Sequence, residues 1–162
     1  MSILDNAAEN AAENAVENVP ENAPDFPPHE LMAHAAQARQ HAYAPYSNFQ
    51  VGAALLCKDG RIFHGCNVEN ASYGLCNCAE RSAFFNAISA GYRRGQFQAL
   101  AVIGATAGPI SPCGACRQVV LELGGAGLEV VLGNVQGEMA VTSAGALLPG
   151  AFGPEDLQVK QT

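Results

Sequence analysis

At 162 residues the chain has room for one well-buried domain and too little for two. Only 14% of its residues are charged against 49% apolar, and the formal charge of −7 is uneven: residues 1–26 hold six acids and no base, the remainder nine acids against eight Lys and Arg. The nearly neutral remainder excludes a basic nucleic-acid face, since a polynucleotide wants a basic stripe with stacking aromatics and only Arg93-Arg94 is clustered.

Residues 5–24 repeat with a period of four, as DNAA, ENAA, ENAV, ENVP and ENAP. In a helix Glu9, Glu13, Glu17 and Glu21 would line up at i,i+4, each like-charge pair costing about 0.2–0.5 kcal/mol. Asn is a poor helix former, Pro20 and Pro24 interrupt, and no apolar face is available to dock. A solvated, disordered acidic tail is expected over 1–26, followed by one folded domain over 27–162.

After Pro27-Pro28, the segment His29 to Ala42 has Leu31, Ala35, Ala38 and Ala42 at helical spacing. His34 and His41 lie too far apart on it for a ligand pair and are expected to be packing or surface groups. Tyr43 to Ser47 reads as a Pro-containing turn. Gln50 to Cys57 and Arg61 to Val68 form a hairpin through Lys58-Asp59-Gly60, with Cys57 and Cys66 packing as small hydrophobes and His64 without a nearby partner. A helix follows from Cys78 to Gly91, with Asn77 as its N-cap. Ala99 to Ala105 is a buried strand, and Pro112 introduces a helix ending at Gly124-Gly125. Leu128 to Leu132 and Glu138 to Val141 are the last strands. This order predicts an α/β domain with a mixed sheet of about five strands and helices on its faces.

Two stretches carry the chemistry, Asn67 to Ala83 (NVENASYGLCNCAERSA) and Ser111 to Val119 (SPCGACRQV). Cys113 and Cys116 form a Cys-x-x-Cys pair at a helix start, Cys78 supplies a third thiol, and Glu80 stands two residues beyond it. Three protein ligands leave zinc a fourth position for water, whose pKa then falls to roughly 7. Glu80 is placed to move its proton. Both ligand groups fall at helix N-termini, which favour anionic sulfur. Three thiolates overcompensate a divalent ion, so positive charge is needed nearby, and Arg81 is the candidate. A closed four-cysteine site including Cys76 is the structural alternative.

Cys78-Ala79-Glu80 followed by Pro112-Cys113-Gly114-Ala115-Cys116 has the pattern of zinc-dependent nucleobase deaminases. From about Leu31 to Leu157 the chain resembles cytidine deaminases of the small, homotetrameric, all-cysteine class. The resemblance implies a three-layer α/β/α fold, one Zn2+ per chain, and hydrolytic deamination of cytidine and 2′-deoxycytidine. It implies that Asn67 and Glu69 bind the ribose hydroxyls and that Phe49 packs on the base. Asn70, Ala71, Tyr73 and Ala79 would also contact the nucleoside, and Phe152 would reach the pocket of a neighbouring subunit. It further implies that Arg81 hydrogen-bonds the cysteine sulfurs. Cys76 stands where the family usually has Thr, and Leu123 where Phe is common. Rival readings are another zinc deaminase, acting on an antibiotic nucleoside, a nucleotide or polynucleotide cytosine, and a zinc-stabilised binding protein without turnover, against which Glu80 argues.

The start Met1-Ser2-Ile3-Leu4-Asp5 lacks the basic residues and apolar run of a secretory signal, and no stretch approaches the roughly 20 apolar residues of a membrane span. A reducing, cytoplasmic setting is expected, with cysteines serving metal binding and a small-molecule nucleoside as the partner. So low a charge content also predicts subunit contact, against the alternative of a Gly/Ala-rich chain with a bland surface.

Overall fold

The computed structural model describes residues 26–157. The expected acidic tail lies outside the described residues except for Phe26, whose ring packs 6.1 Å from that of His34. In chain order the elements are α1 (Pro28–Arg39), β1 (Val51–Cys57), β2 (Ile62–Cys66), a short 3-10 turn (Tyr73–Leu75), α2 (Ala79–Ser89), β3 (Phe97–Gly104), α3 (Gly114–Gly124), β4 (Glu129–Asn134), β5 (Met139–Ser143) and the single turn α4 (Ala144–Leu147). Helix α1 ends at Arg39, short of the expected Ala42, because Gln40, His41 and Ala42 close i→i+3 turns instead.

The five strands form one mixed sheet in the order β2-β1-β3-β4-β5. Neighbours are antiparallel except β3 and β4, which run parallel from Ala99↔Glu129 to Gly104↔Asn134. Parallel neighbours need a crossover, and α3 supplies it. Alternation along the strands splits the core in two. Ala53, Leu55, Leu100, Val102, Val130 and Leu132 point to the side of α2 and α3, where Phe84 and Val120 are fully buried. Ala54, Leu56, Ala101, Ile103 and Val131 point to the side of α1, against Leu31 and Ala35. The result is the expected three-layer α/β/α fold. Fully buried Leu, Val and Phe side chains contribute about 1.5–3 kcal/mol each to holding it.

Two glycines set the distance between layers. A Cβ on Gly52 would stand 2.1 Å from the Ala35 carbonyl oxygen, so α1 lies directly on β1; Gly65 lets α2 approach β2 in the same way. This close approach brings His34 of α1 against His64 of β2, with Nδ1 and Nε2 3.1 Å apart. His64 therefore has a partner distant in sequence, where the local reading found none. Cys57 is fully buried at the end of β1, as a small hydrophobe should be, whereas half-buried Cys66 also donates to the His41 carbonyl.

Candidate functional site

The ends of β3 and β4 that follow the chain direction open toward the loop 105–113, the usual place for a site in such a sheet. On its other side is the run from Asn67 to Asn77, which folds back as a pinned extended segment. Val68 and Asn77 exchange two backbone hydrogen bonds of 2.9 Å, Tyr43 N–H donates to the Asn67 carbonyl at 3.0 Å, and Glu69 N–H to the Tyr43 carbonyl at 2.8 Å. The chain then enters α2. Its N-cap is Cys78, not Asn77, because Asn77 continues the extended pairing and spends its amide on Ser82 Oγ at 3.0 Å.

Cys113 is likewise the N-cap of α3, and neither cysteine caps its helix with its own side chain. Both helices thus direct unspent first-turn N–H groups and positive dipole ends toward the sulfurs. Cys116 sits in the first turn of α3, fully buried. The sulfurs of Cys78, Cys113 and Cys116 all lie within 4.8 Å of one another, and among the described residues this is the one such group able to hold a metal ion. Cys78 and Cys113 are 3.9 Å apart, close to the ~3.8 Å between sulfurs of a tetrahedral zinc site with 2.3 Å bonds. Three soft donors at that spacing suit a borderline-soft divalent cation. Cys76 stands outside the trio: its sulfur accepts from Asn70 N–H at 3.3 Å and faces the Asn70 carbonyl at 3.6 Å.

Charge around the trio is uneven. A hydrogen bond from the Cys116 thiol, opposed by burial and assisted by Arg81, pulls the Cys78 thiol down to about 5. The same contact, read from the donor's side, and burial push Cys116 up. Arg81 Nη2 lies 3.4 Å from Cys78 Sγ and 3.5 Å from the Cys76 carbonyl, while its Nε is buried with no hydrogen-bond partner. A donor left over beside the sulfurs fits a cluster that gains negative charge when all three are thiolates. Glu80 is only 4% exposed, and burial raises its carboxyl pKa, with the Cys78 charge acting in the same direction and Arg81 partly opposing.

Glu69 and Tyr73 line a cleft of about 360 Å³ with Tyr46, Ser47 and Cys76. The Glu69 carboxylate accepts from Tyr46 N–H at 2.9 Å, from Ser47 N–H at 3.2 Å and from the Ser47 hydroxyl, and this last bond is the main reason its pKa is lowered. Asn67 has a different employment: its Oδ1 accepts from Val51 N–H and its Nδ2 donates to the Phe49 carbonyl, both at 2.8 Å. It thereby fixes the chain just before β1, where the Phe49 ring lies beside Gly104. Asn70 turns its Oδ1 to Ser72 N–H at 2.8 Å, and Ala71 and Tyr73 are exposed. Ala79 is buried directly after Cys78. Phe152 is held through its carbonyl by Gln118 Nε2 of α3 at 2.9 Å, with 58% of its surface exposed.

Residues 27–132 match the cytidine and deoxycytidylate deaminase zinc-binding region. The chain belongs to the cytidine deaminase family. It is 55% identical over 128 residues to the cytidine deaminase of Sporosarcina psychrophila, covering 79% of this chain and 93% of that one. To the cytidine deaminase of Halalkalibacterium halodurans it is 56% identical over 127 residues, covering 78% and 95%. The 1.6 Å crystal structure of cytidine deaminase from Burkholderia pseudomallei superposes with a TM-score of 0.78 at 67% identity, over 78% of this chain and all of the other. As a member of the cytidine deaminase family the protein is an enzyme, and among its described residues no helix is long and apolar enough to cross a membrane.

Three residues that hold the Glu69 cleft and the loop before Cys113 in place escape a reading of local sequence. Tyr46 and Ser47 look like turn residues, yet their N–H groups hold Glu69 from 22 or more positions away. Asn134 is buried at the end of β4. Its Nδ2 donates to the Thr106 and Ala107 carbonyls at 3.4 Å, and its Oδ1 accepts from Gln136 and Glu138 N–H at 3.1 and 2.9 Å. It so ties the loop leading to Cys113 to the β4–β5 hairpin. A lone Asn at a strand end carries no signal of this, although Asn134-Val135-Gln136-Gly137 does mark the hairpin turn.

Proposed function

We propose that the enzyme hydrolyses cytidine and 2′-deoxycytidine to uridine and 2′-deoxyuridine with release of ammonia, using one zinc ion held by Cys78, Cys113 and Cys116. The observation that carries this reading is the meeting of three cysteine sulfurs within 4.8 Å at two helix starts, with buried Glu80 in the first turn of one of them. Zinc at such a three-ligand site supplies Lewis acidity and a water acidified toward neutral pH.

The protein's own groups do the rest. Glu80 accepts the proton of the attacking water, delivers it to N3 of the pyrimidine, and later assists departure of the C4 amino group as ammonia, so that a C–N bond is exchanged for a C–O bond at C4. Its raised pKa supports this role, because a carboxyl that takes and returns a proton works best when its pKa lies closer to neutrality. Arg81, beside Cys78 Sγ, offsets the surplus negative charge of three thiolates around a divalent ion. Backbone groups at Ala79 and Ser111 hold the base edge, and Phe49 packs on its face.

Glu69 binds the ribose hydroxyls together with Asn67, whose amide keeps one N–H and one lone pair beyond its bonds to Phe49 and Val51, with Asn70, Ala71 and Tyr73 on the same wall. An ionised Glu69 beside the sugar repels a phosphate and selects a free nucleoside over a nucleotide or nucleic acid. Exposed Phe152 completes the pocket of a neighbouring subunit in a homotetramer of the cytoplasm. The test is ammonia release by the zinc-loaded protein. Release from cytidine and deoxycytidine with at least tenfold preference over cytidine monophosphate is expected; none from either nucleoside would overturn the proposal.

A further inference from the structure

Cys116 is followed directly by Arg117 and Gln118, and both side chains reach from α3 to the chain's C-terminal segment. Arg117 uses one planar guanidinium on two separate stretches: Nε donates to the Pro112 carbonyl at 2.9 Å, Nη2 to Ser111 Oγ at 2.6 Å, and Nη1 to the Leu147 carbonyl at 2.9 Å. Gln118 extends the link five residues onward, to the Phe152 carbonyl at 2.9 Å. Between these anchors the segment turns at Gly150, whose φ of 66° lies in the left-handed region. The backbone of residues 147–152 is therefore fastened to the helix that bears Cys116, while the Phe152 ring stays exposed.

Fastening a carbonyl while leaving its ring in solvent contributes little to the stability of this chain. It makes sense if the ring has to be presented at a set position to something outside. Arg suits the first anchor because its fork of donors is rigid, so three charge-assisted bonds fix the relative placement of Ser111, Pro112 and Leu147 at once.

We propose that Arg117 and Gln118 are positioning residues for nucleoside binding, acting through Phe152: they hold the segment 147–152 so that the ring closes the substrate pocket of the neighbouring subunit. This rests on the proposed role of Phe152 as a shared-pocket residue. Arg117 also fixes Ser111 and Pro112 beside its own subunit's base site, whereas Gln118 acts on the Phe152 carbonyl, which makes Gln118 the cleaner probe.

The experiment compares Gln118→Ala, Phe152→Ala and the double variant as zinc-loaded proteins, reading KM and kcat for cytidine together with amide hydrogen exchange of residues 148–153. Gln118→Ala is expected to raise KM about three- to tenfold, the net scale of one hydrogen bond, with kcat within about twofold of the parent and faster exchange in that segment. In the Phe152→Ala background it should raise KM no further, because the ring through which it acts is gone. Arg117→Lys, which keeps the charge and loses the fork, should also accelerate exchange. Additive effects on KM, or loss of thermal stability with KM and exchange unmoved, would overturn the proposal. Absence of turnover in the parent would overturn the function proposed above, and the tether would then stand or fall on the exchange data.

Discussion

The carbonyl oxygen of Ala79 occupies the place where a side chain on Gly65 would begin. A Cβ on Gly65 would stand 2.2 Å from that oxygen and 2.4 Å from the Ala83 nitrogen. Both are backbone atoms, so α2 itself would have to move, and Cys78 and Glu80 ride on its first turn. Gly65→Ala is expected to cost about 1–3 kcal/mol in urea unfolding and to lower the zinc retained per chain. Unchanged stability and zinc content would show that α2 is not seated by this contact.

The layers of the fold were legible because each element declares itself locally: the continuous apolar run from Ala53 to Cys57, Pro before α1 and α3, and glycines at the ends of α2 and α3. The cysteine trio was legible for a different reason, since the Cys113-x-x-Cys116 and Cys78-x-Glu80 spacings mark residues that could hold a metal ion. What stayed hidden depends on contacts between distant residues. Asn77 looks like a better cap than Cys78, but its pairing with Val68 outweighs capping propensity. His64 looks isolated until α1 is laid across β2, and Arg117 looks like an ordinary surface arginine until the C-terminal segment passes beside it.

Arg81 approaches Cys78 Sγ at 3.4 Å and keeps a buried Nε in reserve. Arg81→Gln should weaken zinc binding about 10–100-fold, the usual effect of removing a partner that supports a metal ligand. Competition with a chromophoric chelator measures this directly. An affinity equal to the parent's would remove Arg81 from the metal site.

Cys76 clasps the Asn70 backbone from both sides and contributes nothing to the sulfur trio. Cys76→Ala should therefore leave one zinc per chain while loosening the run from Glu69 to Tyr73, raising KM for cytidine a few-fold, on the scale of one weak hydrogen bond. Cys76→Thr, which keeps a donor and an acceptor, should restore it. Zinc lost on either substitution would instead indicate a closed four-cysteine site.

His64 has its pKa lowered, first by burial and then by the charges of His34 and His41. Below the ordinary value of 6.5 the unfolded chain binds this proton more readily than the folded one, so stability is full above about pH 6.5 and declines as pH falls toward the lowered folded value. Urea midpoints between pH 7.5 and 5 should fall in the parent and fall less in His64→Gln. Parallel curves would assign the acid sensitivity elsewhere.

Proton transfer by Glu80 is the core of the account, and the most direct test is cytidine turnover by Glu80→Gln, measured beside its zinc content. The amide keeps the shape of the carboxylate and cannot shuttle a proton, so turnover should drop by on the order of 10²–10⁴ or more while one zinc per chain is retained. A zinc-loaded Glu80→Gln enzyme that deaminates cytidine at nearly the parent's rate would contradict it.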